Sequence, residues 1–145
     1  MSTAIPKLIY GGNYTDERGQ LEFFNEFDMS SIKRMYFTTH FDTKVVRAWQ
    51  GHRIESRWFR CVSGSFSIKL VEIDSWETPS DDLKVIDYEL SADNQEILYI
   101  PNGYVNGFKA LVPNSKLMIM SNYGFNEIEN DQIRFDQNKW TKWDN

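Results

Sequence analysis

Apolar residues alternate with polar ones, or stand in short runs, along most of the chain. This period of two, rich in valine, isoleucine and aromatic residues, is typical of β-strands. Nine candidate strands span residues 21–27, 33–38, 44–49, 57–62, 65–73, 84–90, 96–100, 107–111 and 116–121. Turn-forming residues separate them, including a turn at Gly11, Gly12 and Asn13, and no amphipathic helix is predicted. Short strands at this spacing predict an all-β antiparallel sandwich or barrel.

The chain is long enough for one hydrophobic core. It has 145 residues, of which 41% are hydrophobic and 15% aromatic, so a single domain over residues 1–145 is expected. We predict that an N-terminal arm, about residues 1–20, and a C-terminal tail, about residues 126–145, lie outside the core. The tail carries Trp140 and Trp143 among polar residues. We expect these rings to dock on a surface, such as that of a neighbouring subunit.

Charge and hydropathy argue against two kinds of partner. The net charge of −5 disfavours nucleic acid, whose phosphates require a basic surface, but leaves room for a basic pocket that binds one small anion. The longest apolar runs contain only a few residues, whereas a membrane helix needs ~20. The N-terminus also lacks the basic and apolar segments of a secretory signal. We therefore predict a cytoplasmic protein that binds neither membrane nor nucleic acid.

Cys61 is the only cysteine of the chain. It can form no intrachain disulfide and supports no cysteine-based zinc site, which fits a reducing cytoplasm. Its position in an apolar strand favours a small buried side chain over a nucleophilic thiol.

The candidate strand 57–62 carries Arg57 and Arg60 on opposite faces, because side chains alternate along a strand. One arginine therefore points into the interior whichever face is buried. A buried guanidinium is costly unless it is paired, so the strand indicates an anion in the interior. The alternative is an arginine at the strand end whose side chain reaches water.

The chain has two histidines, His40 and His52. His40 stands in a polar segment, where we expect it on the surface. His52 follows Arg47, Trp49 and Gln50 in a segment dense with polar side chains. Considered alone, this segment fits a structural histidine as well as an acid–base group near neutral pH.

The spacing of four residues resembles the two cupin motifs, Gly-x5-His-x-His-x(3,4)-Glu-x6-Gly and Pro-x-Gly-x-x-His. Gln50, His52, Arg57 and Asn106 stand where metal-binding cupins carry three histidines and one glutamate. One ligand of four survives, and a guanidinium repels a cation instead of binding it. The resemblance implies a cupin barrel, and these residues predict that it uses neither a metal nor another cofactor.

Further segments resemble the RmlC-like cupins that act on nucleotide-linked keto sugars, and the match covers about residues 11–140. Residues 16–21, 97–108 and 133–136 are similar to motifs of dTDP-4-dehydrorhamnose 3,5-epimerases. Residues 32–36 and 47–53 are similar to dTDP-4-keto-6-deoxyhexose 3,4-ketoisomerases, although Gln50 replaces a family histidine. The resemblance implies a jelly-roll β-sandwich, a homodimer and a nucleotide-linked sugar substrate.

Both reactions begin when a base removes the C3 hydrogen of the 4-keto sugar and a cation or donor stabilises the enolate. The catalytic candidates are His52 as base, Tyr36 as acid with Tyr123 second, and Arg57 for the enolate or the pyrophosphate. The substrate-binding candidates are Arg47, Gln50, Trp49, Arg18 and Asn106. Trp49 is alternatively a core residue, and Arg18 a turn residue.

Four functions follow from this reasoning. The main hypothesis is a metal-independent epimerase that deprotonates and reprotonates C3, and also C5, of a dTDP-4-keto-6-deoxyhexose. The alternatives are the 3,4-ketoisomerase and, because Gln50 cannot exchange a proton, a non-catalytic cupin that binds sugar nucleotides. A third alternative is a partner domain in polysaccharide assembly.

Overall fold

The structure, a computed structural model, describes residues 4–125 and 131–143. Residues 1–3 of the predicted arm, and 126–130, 144 and 145 of the predicted tail, lie outside the described residues. Within them the strands are β1 (Lys7–Tyr10), β2 (Gly12–Asp16), β3 (Gly19–Phe23), β4 (Arg34–His40), β5 (Val46–His52), β6 (Arg57–Ser63), β7 (Ser65–Glu72), β8 (Val85–Ser91), β9 (Glu96–Ile100), β10 (Tyr104–Ala110), β11 (Ser115–Ser121) and β12 (Ile133–Arg134).

The strands form two five-stranded antiparallel sheets and one hairpin. The first sheet has the order β1-β9-β6-β11-β4, the second has the order β12-β5-β10-β7-β8, and β2 pairs with β3. The all-β antiparallel prediction is therefore confirmed. No helix among the described residues is long and apolar enough to cross a membrane.

The main core lies between the two sheets. Phe59 and Leu117 of the first sheet meet Phe66, Ile68 and Phe108 of the second in one buried cluster. Alternate residues of β6, β7 and β11 point inward, as expected for strands with one face on a core.

A second apolar cluster covers the other face of the second sheet. Trp49 of β5 packs against Trp140 and Trp143, with ring centroids 5.4 and 5.5 Å apart. Its Nε1 donates to the carbonyl of Lys139 at 2.8 Å. Gly107 permits this packing, since a Cβ there would lie 2.7 Å from Trp143. The tail tryptophans therefore dock on a surface, as predicted, and that surface is the second sheet of their own chain and not that of a neighbouring subunit.

The N-terminal region contains strands that the sequence pattern did not predict. β1 pairs with β9 at the edge of the first sheet, and Leu8 packs against the core, so part of the predicted arm belongs to the sheet. β2 begins at Gly12, where a turn was predicted, because its backbone pairs with β3 up to Phe23. The division into one domain with an arm and a tail stays a prediction.

His40 is buried, which corrects the expectation of a surface position. β4 continues beyond the predicted strand and pairs His40 with Ser115 of β11. The ring then lies against Phe66 and Phe108. Cys61, by contrast, is fully buried as predicted, and burial raises the pKa of its thiol to about 11.

Candidate active site

A cavity of about 330 Å³ opens between the two sheets. It receives side chains from both of them, so it lies inside the sandwich. Its lining residues are Tyr36 and Thr38 of β4, Val46, Arg47, Ala48, Trp49 and Gln50 of β5, Arg57 of β6, Asn106 and Phe108 of β10, Ile119 of β11, and Arg134 of β12. This volume suits a small ligand.

An irregularity in β5 selects which of its side chains enter the cavity. In the pairing with β10, Gln50 is opposite Asn106 and Arg47 is opposite Phe108, so β5 carries one extra residue there, as in a β-bulge. Trp49 borders the cavity, but its indole packs with the tail tryptophans. Strict alternation would place Trp49 with Arg47 and exclude Gln50. The bulge instead lets both polar residues line the cavity.

Three arginines line the cavity, and two of them make it basic. Arg57 is neutralised by Glu55, whose carboxylate lies 2.5 Å from Nε, and its Nη1 donates to Gln50 Oε1 at 3.3 Å. The anion that the sequence predicted beside this arginine is thus a side chain of the protein itself. Arg47 and Arg134 form no ion pair within residues 4–125 and 131–143. Their charges can therefore bind an anion such as a phosphate.

Two amides face each other across the cavity wall, Gln50 on β5 and Asn106 on β10. Asn106 is only 2% exposed, and its Nδ2 has no hydrogen-bond partner in the described part of the chain. A buried donor without an acceptor is unfavourable, and such groups are rare in folded proteins. An oxygen of a bound ligand would satisfy it.

His52 lies two residues beyond Gln50 and is not among the residues that line the cavity. It is 2% exposed, and its Nδ1 lies 2.9 Å from the backbone carbonyl of Asp131. A carbonyl can only accept, so Nδ1 carries the proton and Nε2 is a bare lone pair. Nε2 has no partner among the described residues. Burial, followed by the charge of Arg57, lowers the pKa of His52 from 6.5 to about 3, so the ring is neutral at physiological pH.

His52, Glu55 and Asp131 form a buried group with potential ligand atoms within 4.8 Å of one another. Their carboxylates are already engaged, however. Asp131 accepts from the backbone N–H groups of residues 53–55 at 2.7–3.0 Å, and Glu55 accepts from Arg34 and Arg57. Two guanidinium groups beside the cluster would repel a metal ion, so the group does not suit one.

The remaining candidates occupy different places. Tyr36 lines the cavity with its ring 5.2 Å from the guanidinium of Arg34 and 5.9 Å from that of Arg57. Tyr123 follows β11, half-buried, and is not one of the lining residues. Arg18 lies at the turn of the β2–β3 hairpin, where it is 81% exposed and pairs with Asp16 at 2.6 Å.

Sequence reasoning assigned no role to Arg134 or His40. Arg134 pairs with Gln50 in the sheet and belongs to the segment 133–136 that resembles an epimerase motif, so the signal was present. His40 contacts Arg47. It was expected on the surface because nothing local in the sequence indicates the rings that cover it.

Two facing antiparallel sheets around a basic interior cavity define an RmlC-like cupin, as predicted. A model of the dTDP-4-dehydrorhamnose 3,5-epimerase family matches residues 7–143. The chain therefore belongs to this family, which confirms the predicted relationship to isomerases of dTDP-sugars. A search of curated proteins found no match.

Solved structures share the fold at low sequence identity. An rmlC epimerase from Mycobacterium tuberculosis has a TM-score of 0.76 and 17% identity, over 99% of this chain and 76% of its own. A variant of the 3,4-ketoisomerase QdtA from Thermoanaerobacterium thermosaccharolyticum, in complex with TDP-4-keto-6-deoxyglucose, has 0.69 and 24%, over 90% and 87%. The TDP-quinovose 3,4-ketoisomerase WlaRB from Campylobacter jejuni has 0.68 and 19%, over 90% and 92%.

Proposed function

We propose that the cavity binds a dTDP-4-keto-6-deoxyhexose and catalyses its epimerisation at C3, and also at C5. The observation that carries the proposal is the combination of two arginines without carboxylate partners in the described chain and an unpaired amide donor on Asn106. Such a site matches a ligand with a diphosphate at one end and sugar oxygens at the other.

In the proposed mechanism, His52 removes the C3 proton and Tyr36 returns a proton to the opposite face. The bare Nε2 of His52 supports the role of base, and the place of Tyr36 on the cavity wall supports the role of acid. The electron pair of the C–H bond moves to the C4 carbonyl oxygen as an enolate, which Arg57 stabilises. Tyr123 is the second candidate for the acid.

The proposed binding contacts divide along the cavity. Arg47 and Arg134 hold the pyrophosphate, while Gln50 and Asn106 donate to sugar oxygens. Trp49 supports the wall through its packing on the tail. Arg18 is too exposed to contribute within one subunit, so we propose that it reaches the nucleotide of a second copy.

We propose that the reaction needs no metal and no organic cofactor. The carboxylates that could bind an ion are occupied by backbone N–H groups and arginines. A 4-keto sugar supplies its own electron sink, because its carbonyl accepts the charge of the enolate.

We propose a cytoplasmic homodimer. The β2–β3 hairpin exposes Tyr14 by 59% and Leu21 by 64%, and edge strand β4 exposes Met35 and Phe37. Several large apolar side chains exposed together favour a contact with another protein chain. The free thiol of Cys61 fits a reducing compartment. Light scattering after size exclusion should give twice the mass of 17.1 kDa, and a monomer would contradict this part.

The 3,4-ketoisomerase is the first alternative. It is favoured by residues 32–36 and 47–53, which resemble this family. The two reactions share the enolate and differ in the carbon that is reprotonated, C3 in an epimerase and C4 in a ketoisomerase.

A non-catalytic sugar-nucleotide-binding cupin is the second alternative. It is favoured by Gln50, which cannot exchange a proton, and by the position of His52 outside the cavity lining. Binding of the sugar nucleotide without isotope exchange would support it.

Incubation with dTDP-4-keto-6-deoxyglucose in heavy water, followed by NMR, tests all three functions. Deuterium at C3 of an epimer supports the main proposal, deuterium at C4 of a 3-keto product supports the ketoisomerase, and no exchange supports the binder. His52→Asn is expected to lower exchange at least about a hundredfold. Unchanged exchange in this variant would remove His52 from the mechanism.

The acid is identified by comparing Tyr36→Phe and Tyr123→Phe in the same assay.

A further inference from the structure

His40 is a buried titratable group that the proposed mechanism does not use. It is 2% exposed, and its Nε2 lies 3.3 Å from Nε of Arg47. The Nε–H of an arginine can only donate, so Nε2 of His40 must accept. The imidazole is therefore neutral in this contact, with its proton on Nδ1.

Two aromatic rings hold this imidazole in place. The ring centroids of Phe66 and Phe108 lie 5.3 and 5.6 Å from that of His40, and Phe108 also lines the cavity. With Nε held by His40, the terminal nitrogens of Arg47 form the edge that can bind two phosphate oxygens in parallel. A guanidinium that is already positioned loses less freedom when a ligand binds.

Packing alone does not account for a histidine here. Nδ1 of His40 is buried and has no acceptor in the described part of the chain, which is unfavourable. A phenylalanine would fill the same aromatic niche without an unsatisfied N–H group. What histidine adds is the acceptor for Arg47.

We propose that His40 is a positioning residue that holds the guanidinium of Arg47 towards a diphosphate bound in the cavity. The identity of the ligand rests on the proposed function, whereas the contact itself does not. When His40 is protonated, its Nε2 carries an N–H group and can no longer accept from Arg47, and the two positive charges repel each other. Acid conditions therefore release the arginine. Burial and the charge of Arg47 lower the pKa of His40, and Asp42, in the loop after β4, partly opposes this.

Calorimetric titration with thymidine diphosphate tests the role of His40. His40→Phe, which retains the ring packing, is expected to bind about tenfold more weakly than the wild type at neutral pH. His40→Gln, which retains an acceptor, is expected to bind nearly as well as the wild type. Because the pKa of His40 is lowered from its ordinary value of 6.5, wild-type affinity is expected to fall more steeply than that of either variant as the pH is lowered below 6.5. Protonation of thymidine diphosphate itself affects the wild type and both variants equally, so it does not produce this difference between them.

Nitrogen NMR of the imidazoles tests the contact without a ligand. The chain has only two histidines, so the His40→Phe spectrum assigns both. A neutral His40 with the proton on Nδ1 is expected, and a proton on Nε2 would overturn the inference. Equal affinity and equal pH dependence in His40→Phe and wild type would overturn the inference about His40 and leave the proposed function standing. Failure of the wild type to bind thymidine diphosphate would overturn it together with the proposed function.

Discussion

Strand β5 connects two groups of charged and polar side chains that differ in how completely their hydrogen bonds are made. Around His52, the carboxylates of Glu55 and Asp131 are saturated by backbone N–H groups and arginines. Around the cavity, Arg47 lacks a carboxylate within the described chain and Asn106 retains an unpaired donor. The two groups also differ in burial: His52, Glu55 and Asp131 are buried, whereas in the cavity Asn106 is buried and Arg47 is exposed.

The difference teaches where ligand binding can occur. The two carboxylates of the first group have no free acceptor for a ligand, and their role is to hold β5, β6 and residue 131 together, whereas Nε2 of His52 retains a free lone pair. An unsatisfied network retains interactions that only an additional molecule can complete. Changes to these carboxylates should therefore alter folding, and changes to the cavity residues should alter binding.

The largest expected effect comes from Glu55→Gln, which leaves Arg34 and Arg57 without their buried carboxylate. Breaking a buried ion pair on one side costs about 3–5 kcal/mol of unfolding free energy, measurable by urea denaturation. Glu22→Gln is the matched control, because Glu22 pairs with Arg60 at 3.0 Å but is 38% exposed. It should cost less than about 1 kcal/mol. Equal losses in both variants would contradict the comparison.

The next effect concerns the cavity. Arg47→Met should weaken binding of thymidine diphosphate by about 2–3 kcal/mol, because a charge-assisted contact is removed from an otherwise prepared site. The unfolding free energy should change little, since no carboxylate within residues 4–125 and 131–143 loses a partner. Arg53→Met is the control, because Arg53 is exposed and lies over Trp76 outside the cavity. Titration calorimetry measures both, and equal binding by the two variants would refute the assignment of Arg47.

Local pattern predicted most of the sheets and the inward arginine. The strand 96–100 has the predicted bounds, and Arg57 lines the cavity, as alternation required of one of the two arginines on its strand. Local pattern failed where cross-strand pairing decides the outcome. The extra residue of β5 is defined only by its partner β10, so the pattern could not show that Arg47 and Gln50 share a face while Trp49 leaves it.

Contacts between distant residues were also invisible in the sequence. The carboxylate of Asp131 accepts from backbone N–H groups of the loop after β5, which are 76 to 78 residues away in the chain. No local motif in the sequence indicates this contact. The burial of His40 depends on Phe66 and Phe108, which belong to other strands. The resemblance to known cupins supplied the fold and the candidate residues. It did not show which of these residues already have hydrogen-bond partners within the protein.

Acid should weaken the saturated network through His52. Its pKa is about 3 in the folded protein, against 6.5 ordinarily, so between these values the unfolded chain binds a proton that the folded chain does not. Stability is therefore complete above about pH 6.5 and falls by roughly 1.4 kcal/mol per pH unit below it. Urea denaturation at several pH values should show a shallower slope for His52→Asn. An identical slope would mean that the imidazole does not titrate as its burial requires.

The smallest effect is expected at Cys61, which is buried but belongs to neither network. Cys61→Ala should cost about 1 kcal/mol, the loss of a small buried group, and should leave the affinity for thymidine diphosphate unchanged. Because burial raises the pKa of the thiol to about 11, native Cys61 should resist a disulfide reagent that labels it rapidly in concentrated urea. Rapid labelling of the native protein would show that this part of the core opens readily. The two networks could then no longer be compared as parts of one rigid sandwich.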